Sequence, residues 1–211
     1  MSRPLAVLRP EPGNAATAAR IEALGLRAIR LPLFAVRPLD WMPPDTAAID
    51  ALLITSANAV RHGGPGLASL RHLPVIAVGQ ATARAAAAAG FTVEATGEGG
   101  VHDVLWRTVG RRLLHLSGRD VAGESGLPGI AVYASEPVRA DASPLNDSVA
   151  LIHSPRAAAR LAELVEDRAR VRIAAISAAA AAAAGDGWAA SAVAAQPSDA
   201  AVIAAARTLA D

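Results

Sequence analysis

The sequence contains neither cysteine nor lysine, and each absence removes several classes of chemistry. Without cysteine there are no thiol nucleophiles, zinc–thiolate sites, iron–sulfur clusters or disulfide bonds. Without lysine there is no Schiff-base chemistry, no pyridoxal phosphate attachment and no lysine for a phosphate-binding loop. The 20 basic residues are therefore all arginines, and 19 acidic residues leave a net charge of +1. Because the arginines form no basic block, we do not expect nucleic acid as a partner.

Bulky aromatic residues and long apolar runs are also scarce. Hydrophobic residues make up 53% of the chain, but most of the excess is alanine, with three Trp, two Phe and one Tyr. The longest uncharged apolar stretch, 173–185, is nearly all alanine and falls short of the roughly 20 strongly apolar residues that cross a bilayer. The apolar run at 5–8 is too short for a signal peptide. We therefore expect a cytoplasmic protein with no membrane contact and with alanine-rich helices packed over strands.

Short apolar runs of strand type alternate with helical runs along the whole chain. Each of the clearest strands is followed directly by a small polar residue and a helical segment. These strands are predicted at 51–54, 75–78, 149–152 and 173–176. Such alternation is typical of an α/β protein, in which helices cover both faces of parallel sheets.

An internal repeat relates two parts of the chain. Residues 51–59 (ALLITSANA) are similar to residues 149–157 (VALIHSPRA), and residues 76–83 are similar to residues 174–181 at the same offset. Two matches at one offset predict two β-α-β-α units of equal length, and hence two similar lobes. After each unit a weaker strand, at 92–95 or 192–195, leads to a further helix near residue 101 or 198.

Two segments with strand character and prolines bracket the middle of the chain. We expect these segments, 33–40 and 130–139, to pair as a two-stranded β-ladder that joins the lobes. The middle segment, 41–129, is then one lobe. The other lobe is discontinuous and combines residues 1–32 with residues 140–211.

Polar or small residues occupy the turns that follow the predicted strands. In open parallel sheets, ligands bind beyond the carboxyl ends of the strands, where helix N–H groups favour anions. Each such contact contributes only about 0.3–1 kcal/mol, so the pattern suits a ligand with many carboxylates, held between the lobes. The alternative is that the serines only cap their helices. The candidate binding residues at these turns are Thr55, Ser56, Asn58, Gly79, Thr82, Ser154, Arg156 and Ser177.

No standard catalytic motif is present, because neither G-x-G-x-x-G nor G-x-S-x-G occurs and the acidic residues suggest no metal site. We expect four of the histidines, at 62, 72, 102 and 115, to be surface or structural residues. His153 and Ser154 are neighbours at a strand end, which makes a poor catalytic dyad. Tyr133, on the second connecting strand, is a candidate proton donor, or its ring only packs the connection.

The motifs of the chain resemble, in order and spacing, those of the bacterial uroporphyrinogen-III synthases. The resemblance covers essentially the whole chain. It is carried by the segments VLRPEPGN (7–14), LPLF (31–34), TSANAV (55–60), AVGQATA (77–83), LHLSGRD (114–120), VY (132–133), SPRA (154–157) and PSD (197–199). It implies two flavodoxin-like lobes joined by a two-stranded ladder, with no metal or organic cofactor.

The resemblance also implies a reaction. The linear tetrapyrrole hydroxymethylbilane, which bears eight carboxylates, loses water and closes into a ring with its last pyrrole inverted. Because the substrate also cyclises unaided to the uninverted isomer, the enzyme must direct the closure more than activate it. The hypothesis is that the folded substrate closes through a spiro intermediate. Tyr133 corresponds to a family tyrosine proposed to assist departure of the hydroxyl group.

Further residues acquire expected roles from the same resemblance. Thr82 and Ser154 correspond to ligand-facing residues of the family, and Gly118 lies in a matching turn. Three arginines, Arg9, Arg119 and Arg156, are candidates for carboxylate contacts, with plain surface solvation as the alternative. Relatives often carry two threonines where this chain has alanines at 179 and 180, so binding at that turn should depend on Ser177 and on backbone N–H groups.

Two other functional classes stay open at this point. A non-catalytic two-lobed binding or regulatory module is consistent with the lack of an acid–base pair, because fold does not fix function. A nucleotide-binding domain is disfavoured by the missing phosphate loop. For the synthase, we expect a monomer with a transient contact to the preceding enzyme of the pathway.

Overall fold

The computed structural model describes residues 2–97, 104, 108–121 and 126–211, and these form two compact units. Lobe 1 combines Met1–Ala35 with Pro137–Asp211, and lobe 2 is the continuous segment Val36–Glu136. Each lobe contains a largely parallel sheet with helices packed against it. The predicted fold class, two α/β lobes of which the first is discontinuous, is confirmed.

The described residues form strands whose bounds, in chain order, are these: β1 Leu5–Val7, β2 Ala28–Arg30, β3 Phe34–Pro38, β4 Ala51–Ile54, β5 Val75–Val78, β6 Val93–Gly97, β7 Leu113–Gly118, β8 Gly129–Pro137, β9 Val149–Ile152, β10 Arg172–Ala175 and β11 Ala190–Val193. Their α-helices are α1 Gly13–Ala23, α2 Ala57–His62, α3 Gln80–Ala88, α4 Pro155–Leu164, α5 Ala178–Ala184 and α6 Asp199–Ala210. Within these described ranges, no helix is both long and apolar enough to span a bilayer.

The sheet of lobe 1 has the order β11-β10-β9-β1-β2, and all its pairings are parallel. Counted in chain order within the lobe, this is the 2-1-3-4-5 order of flavodoxin-like folds. One face of the sheet packs against α4 and α5 through residues such as Ile152 and Leu161. The other face packs against α1 and α6 through residues such as Leu151 and Ile203. Strands buried on both faces explain the unbroken apolar runs in the sequence.

The sheet of lobe 2 has the order β3-β8-β7-β4-β5-β6. Its larger apolar cluster lies against α2 and α3 and includes Ile54, Leu116 and Val132. A smaller cluster on the opposite face contains Leu53 and Val104. The strands β8, β7, β4, β5 and β6 are parallel neighbours in that order.

The two lobes share one strand order in circularly permuted form. When the strands of lobe 2 are counted from β7 and β8 to β4, β5 and β6, the order is again 2-1-3-4-5. Strands β4 and β5 then match β9 and β10, which are the strands that the sequence repeat pairs. The repeat therefore covers the part of the fold that is collinear in both lobes.

Strands β3 and β8 form the ladder where the chain passes from one unit to the other. The amide of Leu39 donates to the carbonyl of Val132, and the amide of Val138 donates to the carbonyl of Leu33, both at 3.0 Å. Since the later residue of one strand faces the earlier residue of the other, the ladder is antiparallel.

Some elements differ from the sequence-based prediction. Strand β10 begins and ends one residue earlier than predicted, because Arg172 pairs with Val149 of β9. Strand β11 lies two residues before its predicted position, and β7 was not predicted as a strand. The helix expected near residue 101, like the histidine at 102, lies outside the described residues.

Candidate functional site

In lobe 2, the predicted binding turns lie side by side at the carboxyl edge of the sheet. Strands β7, β4 and β5 are adjacent, so the turns that follow them are neighbours. These turns carry Gly118, then Thr55, Ser56 and Asn58, then Gly79 and Thr82. The structure thus brings together in one edge six residues that span more than 60 positions in the sequence.

The turn after β4 is a capped helix start. The hydroxyl oxygen of Ser56 accepts a hydrogen bond from the amide of Asn58 at 3.2 Å, which is the capping role weighed as the alternative to ligand binding. The side-chain oxygen of Asn58 accepts from Arg61 at 3.4 Å. Capping uses a lone pair of the serine oxygen, so its hydroxyl hydrogen stays available for a carboxylate.

Thr55 contacts a buried histidine of the neighbouring strand. Its hydroxyl lies 3.0 Å from Nε2 of His115, a residue that is only 3% exposed. Burial lowers the pKa of His115, which favours the neutral ring. His115 therefore orients the threonine hydroxyl at the edge of the sheet.

Gly79 adopts a backbone conformation that other residues avoid. Its φ of 83° and ψ of 145° place it close to a region that is nearly restricted to glycine, and it caps the start of α3. Thr82, in the first turn of that helix, is only 4% exposed and lies on its buried face. The Thr82 hydroxyl is therefore not a group that this turn presents to solvent.

Replacing Gly79 with alanine should lower the free energy of unfolding by about 1–3 kcal/mol, because the new Cβ has open space but a strained backbone. Urea denaturation of the full chain measures this change. Gln80→Ala, at the adjacent exposed position, is the control and should change stability by less than about 0.5 kcal/mol. An unchanged midpoint for Gly79→Ala would mean that the backbone at this turn is not constrained.

A β-bulge places Tyr133 opposite Gly118. In the pairing of β7 with β8, Ser117 faces Ala131, but the next residue, Gly118, faces Tyr133. The extra residue, Val132, remains buried in the core of the lobe. Bulges of this kind re-aim side chains at sheet ends.

The ring of Tyr133 occupies the space that a side chain at position 118 would fill. A Cβ on Gly118 would lie 2.8 Å from Cζ of Tyr133 and 3.0 Å from its hydroxyl oxygen. The φ of Gly118 is not positive, so the glycine is required by this close approach rather than by its backbone conformation. The tyrosine hydroxyl is thereby fixed at the end of β7.

Arg119, the next residue after Gly118, forms an ion pair. Its guanidinium donates to Oε1 of Glu136 at 3.3 Å, and Arg37 lies 3.6 Å from the other oxygen of the same carboxylate. All three side chains are substantially exposed, so the ion pairs contribute little to stability. Two arginines therefore share the single carboxylate of Glu136.

In lobe 1, the predicted residues also gather at the carboxyl edge of the sheet. Arg9 follows β1, Ser154 follows the adjacent β9, and Ser177 follows β10, next in the sheet. The hydroxyl of Ser154 accepts from the amide of Ala157 at 3.1 Å, and that of Ser177 from the amide of Ala180 at 3.2 Å. Both serines are therefore N-caps, as Ser56 is in lobe 2.

Arg156 is exposed and its guanidinium lies over an aromatic ring. The guanidinium carbon is 4.6 Å from the centre of the Phe34 ring, which is a cation–π contact. Stacking of this kind holds a guanidinium group flat against the ring. This ordering suits the recognition of a carboxylate.

The centre of this edge is Asp199, which was not predicted as a site residue from the sequence. Its carboxylate accepts hydrogen bonds from Thr17 at 2.7 Å, from His153 at 2.8 Å and from Arg20, and Nη1 of Arg9 lies at 3.4 Å. Burial opposes ionisation of this group, but the bonds from His153, Thr17 and Arg20 outweigh it and hold the pKa of Asp199 well below its usual range. The aspartate within the PSD segment was the available signal, but its partners are far away in sequence.

The described portions of the two lobes contain no cluster of three or more histidine, aspartate or glutamate side chains that could hold a metal ion. The site residues present hydroxyls, guanidinium groups and helix N-termini. This donor set binds oxyanions.

Comparison with known proteins gives a consistent result. A family model described as uroporphyrinogen-III synthase HemD matches residues 15–124, more than half of the chain. The crystal structure of uroporphyrinogen-III synthetase from Helicobacter pylori is 18% identical, with a TM-score of 0.69, and the match covers 98% of this chain and 99% of that one. A mutant uroporphyrinogen III synthase from Thermus thermophilus is also 18% identical, with a TM-score of 0.51 and coverage of 90% and 92%. At this identity the two structures show a shared fold. No curated protein sequence matches the chain.

Proposed function

Because this chain belongs to the uroporphyrinogen-III synthase family, we propose that it is the lyase that cyclises hydroxymethylbilane with inversion of the last pyrrole ring and release of water. The product feeds tetrapyrrole and haem biosynthesis. Family membership favours this enzyme over a non-catalytic two-lobed binding module. The observation that supports the chemistry is the tyrosine hydroxyl held over Gly118 at the carboxyl edge of lobe 2.

The reaction begins with departure of the terminal hydroxyl group of the substrate. A proton from the hydroxyl of Tyr133 turns this group into water, and the remaining methylene becomes an electrophile. General acid catalysis of this kind contributes about 10²- to 10⁴-fold in rate.

Direction of the ring closure depends on how the substrate is held. The electrophilic methylene must meet the substituted carbon of the last pyrrole, which forms a spiro intermediate that reopens and closes inverted. The substrate carboxylates bind at the turns of each lobe, through backbone N–H groups at the helix starts and through the hydroxyls of Ser56, Ser154 and Ser177. Many weak contacts, each of about 0.3–1 kcal/mol, hold the flexible linear substrate in one folded conformation.

The enzyme acts as a cytoplasmic monomer in this proposal. Its substrate cyclises spontaneously, so a transient contact with the enzyme that releases it would shorten the time available for the unwanted reaction. In this proposal, neither the cyclisation nor the contact with the preceding enzyme requires a metal, an organic cofactor or a nucleic acid.

The test is a direct assay of product identity. Freshly made hydroxymethylbilane is incubated with the full chain, the products are oxidised, and the porphyrin isomers are separated. We expect isomer III to dominate, whereas the control without protein gives isomer I. Recovery of isomer I alone in both samples would refute the proposed activity.

A further inference from the structure

Two features fix the side chain of Arg9 beyond the end of β1. The first is the carboxylate of Asp199, whose Oδ1 lies 3.4 Å from Nη1 of Arg9. The second is the absence of a side chain at Gly13, where a Cβ would lie 2.5 Å from Nε of Arg9. Gly13 has no positive φ, so its backbone would accept other residues. The space above it is kept for the guanidinium group.

Asp199 is anchored independently of Arg9. Oδ1 accepts from the hydroxyl of Thr17 at 2.7 Å and from His153 at 2.8 Å, while Oδ2 accepts from Arg20. Since an ionised carboxylate only accepts, Nε2 of His153 carries the hydrogen of that bond. The aspartate side chain is 13% exposed, against 35% for Arg9. The carboxylate is thus the fixed partner and the arginine is the group that it orients.

The charges of this cluster carry a positive excess, which favours binding of an anion. Arg9 and Arg20 contribute two positive charges against the single negative charge of Asp199. Within the described residues, Arg9 makes no other side-chain hydrogen bond, so its remaining N–H donors are not used by the protein. A guanidinium held in place before binding loses less side-chain freedom when a carboxylate arrives.

We propose that Asp199 and Gly13 are positioning residues that hold the Arg9 guanidinium at the carboxyl edge of lobe 1 as the receptor for one carboxylate of the substrate. The identity of the ligand rests on the proposed function. The placement of the arginine rests on the contacts of Asp199 and on the space above Gly13.

The experiment compares Arg9→Gln, Asp199→Asn and Gly13→Ala, singly and with each positioning variant added to Arg9→Gln. Binding of uroporphyrin III, the stable oxidised product, is measured by fluorescence titration, and KM and kcat are measured with hydroxymethylbilane. The control is Asp147→Asn, which also removes a carboxylate paired with two arginines, Arg3 and Arg170, but at the opposite edge of the same sheet.

We expect Arg9→Gln to weaken binding and raise KM by about 10-fold, the effect of losing a charge-assisted hydrogen bond. Asp199→Asn and Gly13→Ala should each cause part of this loss while kcat changes by less than about twofold. Neither should add to the loss once Arg9 is replaced, because a positioning residue acts only through the group it positions. Asp147→Asn should leave both Kd and KM unchanged.

Full additivity of either positioning variant with Arg9→Gln would overturn the proposal, and Gly13→Ala decides the matter if Asp199→Asn does not fold. Unchanged KM in all three single variants of an active synthase would overturn the receptor role and leave the proposed function standing. Conversely, the wild-type protein could form no isomer III and yet bind uroporphyrin III, with that binding lost in the three variants. This result would refute the proposed function and support the positioning of Arg9.

Discussion

Replacing Tyr133 with phenylalanine should lower kcat by about 10²-fold or more, because the variant keeps the ring but loses the hydroxyl that donates the proton. The product that still forms should remain isomer III, since inversion is directed by the way the substrate is held and not by the acid. Initial rates of isomer III formation measure the effect without interference from the spontaneous reaction, which yields isomer I.

Trp41→Phe is the matched control for Tyr133→Phe. The indole of Trp41 donates to the carbonyl of Gly63 at 2.7 Å, in the same lobe but at the far end of α2 from the site. This variant also removes one polar group from a partly buried aromatic residue, and its kcat should be unchanged. If Tyr133→Phe is as active as the control variant, the tyrosine only packs the connection between strands.

Gly118→Ala should lower kcat nearly as far as loss of the tyrosine hydroxyl does. The added methyl group would overlap the ring of Tyr133, at 2.8 Å from Cζ, so the ring and its hydroxyl must move. The backbone of Gly118 accepts alanine, and the fold should therefore survive. We expect a loss of about 10²-fold, measured as isomer III formation at saturating substrate.

A second glycine provides the control for Gly118→Ala. A Cβ on Gly66 would lie 2.9 Å from the ring of Trp41, so Gly66→Ala crowds an aromatic ring equally but away from the site. It should lower the melting temperature and spare kcat. In the double variant Gly118→Ala with Tyr133→Phe, the losses should not multiply, and fully multiplied losses would show that Gly118 acts independently of Tyr133.

The local features of the fold could be predicted from the sequence. Strands β4, β5 and β9 have the predicted bounds, because each is a short apolar run that ends at a small or polar residue. The serines at the helix starts were equally visible, since N-capping depends on residues two or three positions apart. A local pattern of this kind does not require knowledge of the sheet order.

Features that depend on distant pairing could not be predicted. Asp199 meets Thr17 and His153 only because α6 and α1 lie on the same face of a sheet in which β9 neighbours β1. The bulge that aims Tyr133 at Gly118 is a property of two paired strands and has no counterpart within either one. The permuted relation of the lobes could not be predicted either. A sequence repeat at a single offset includes only the strands that occur in the same chain order in both lobes.

For the candidate site too, local features could be predicted from the sequence, whereas features that depend on packing could not. The family match identifies the family, while the roles of Tyr133 and of the turns after the strands stay predictions from the motif resemblance. Neither the match nor the resemblance reveals that Thr82 is buried or that Arg119 is engaged by Glu136. These facts arise from packing, and they shift the expected carboxylate contacts toward backbone N–H groups, serine hydroxyls and oriented arginines.

The insertion of lobe 2 into lobe 1 sets the order in which the chain can fold as it leaves the ribosome. Strand β1 pairs on one side with β2 and on the other with β9, whose first residue, Val149, is made some 140 residues later. Lobe 2, by contrast, is continuous and complete once Glu136 has emerged. One side of β1 therefore stays unpaired until β9 has been made, whereas lobe 2 can fold before then. The amide of Arg3, before β1, also bonds to the carbonyl of Ala210 at the end of α6, and this contact can form only after residue 210 has been made.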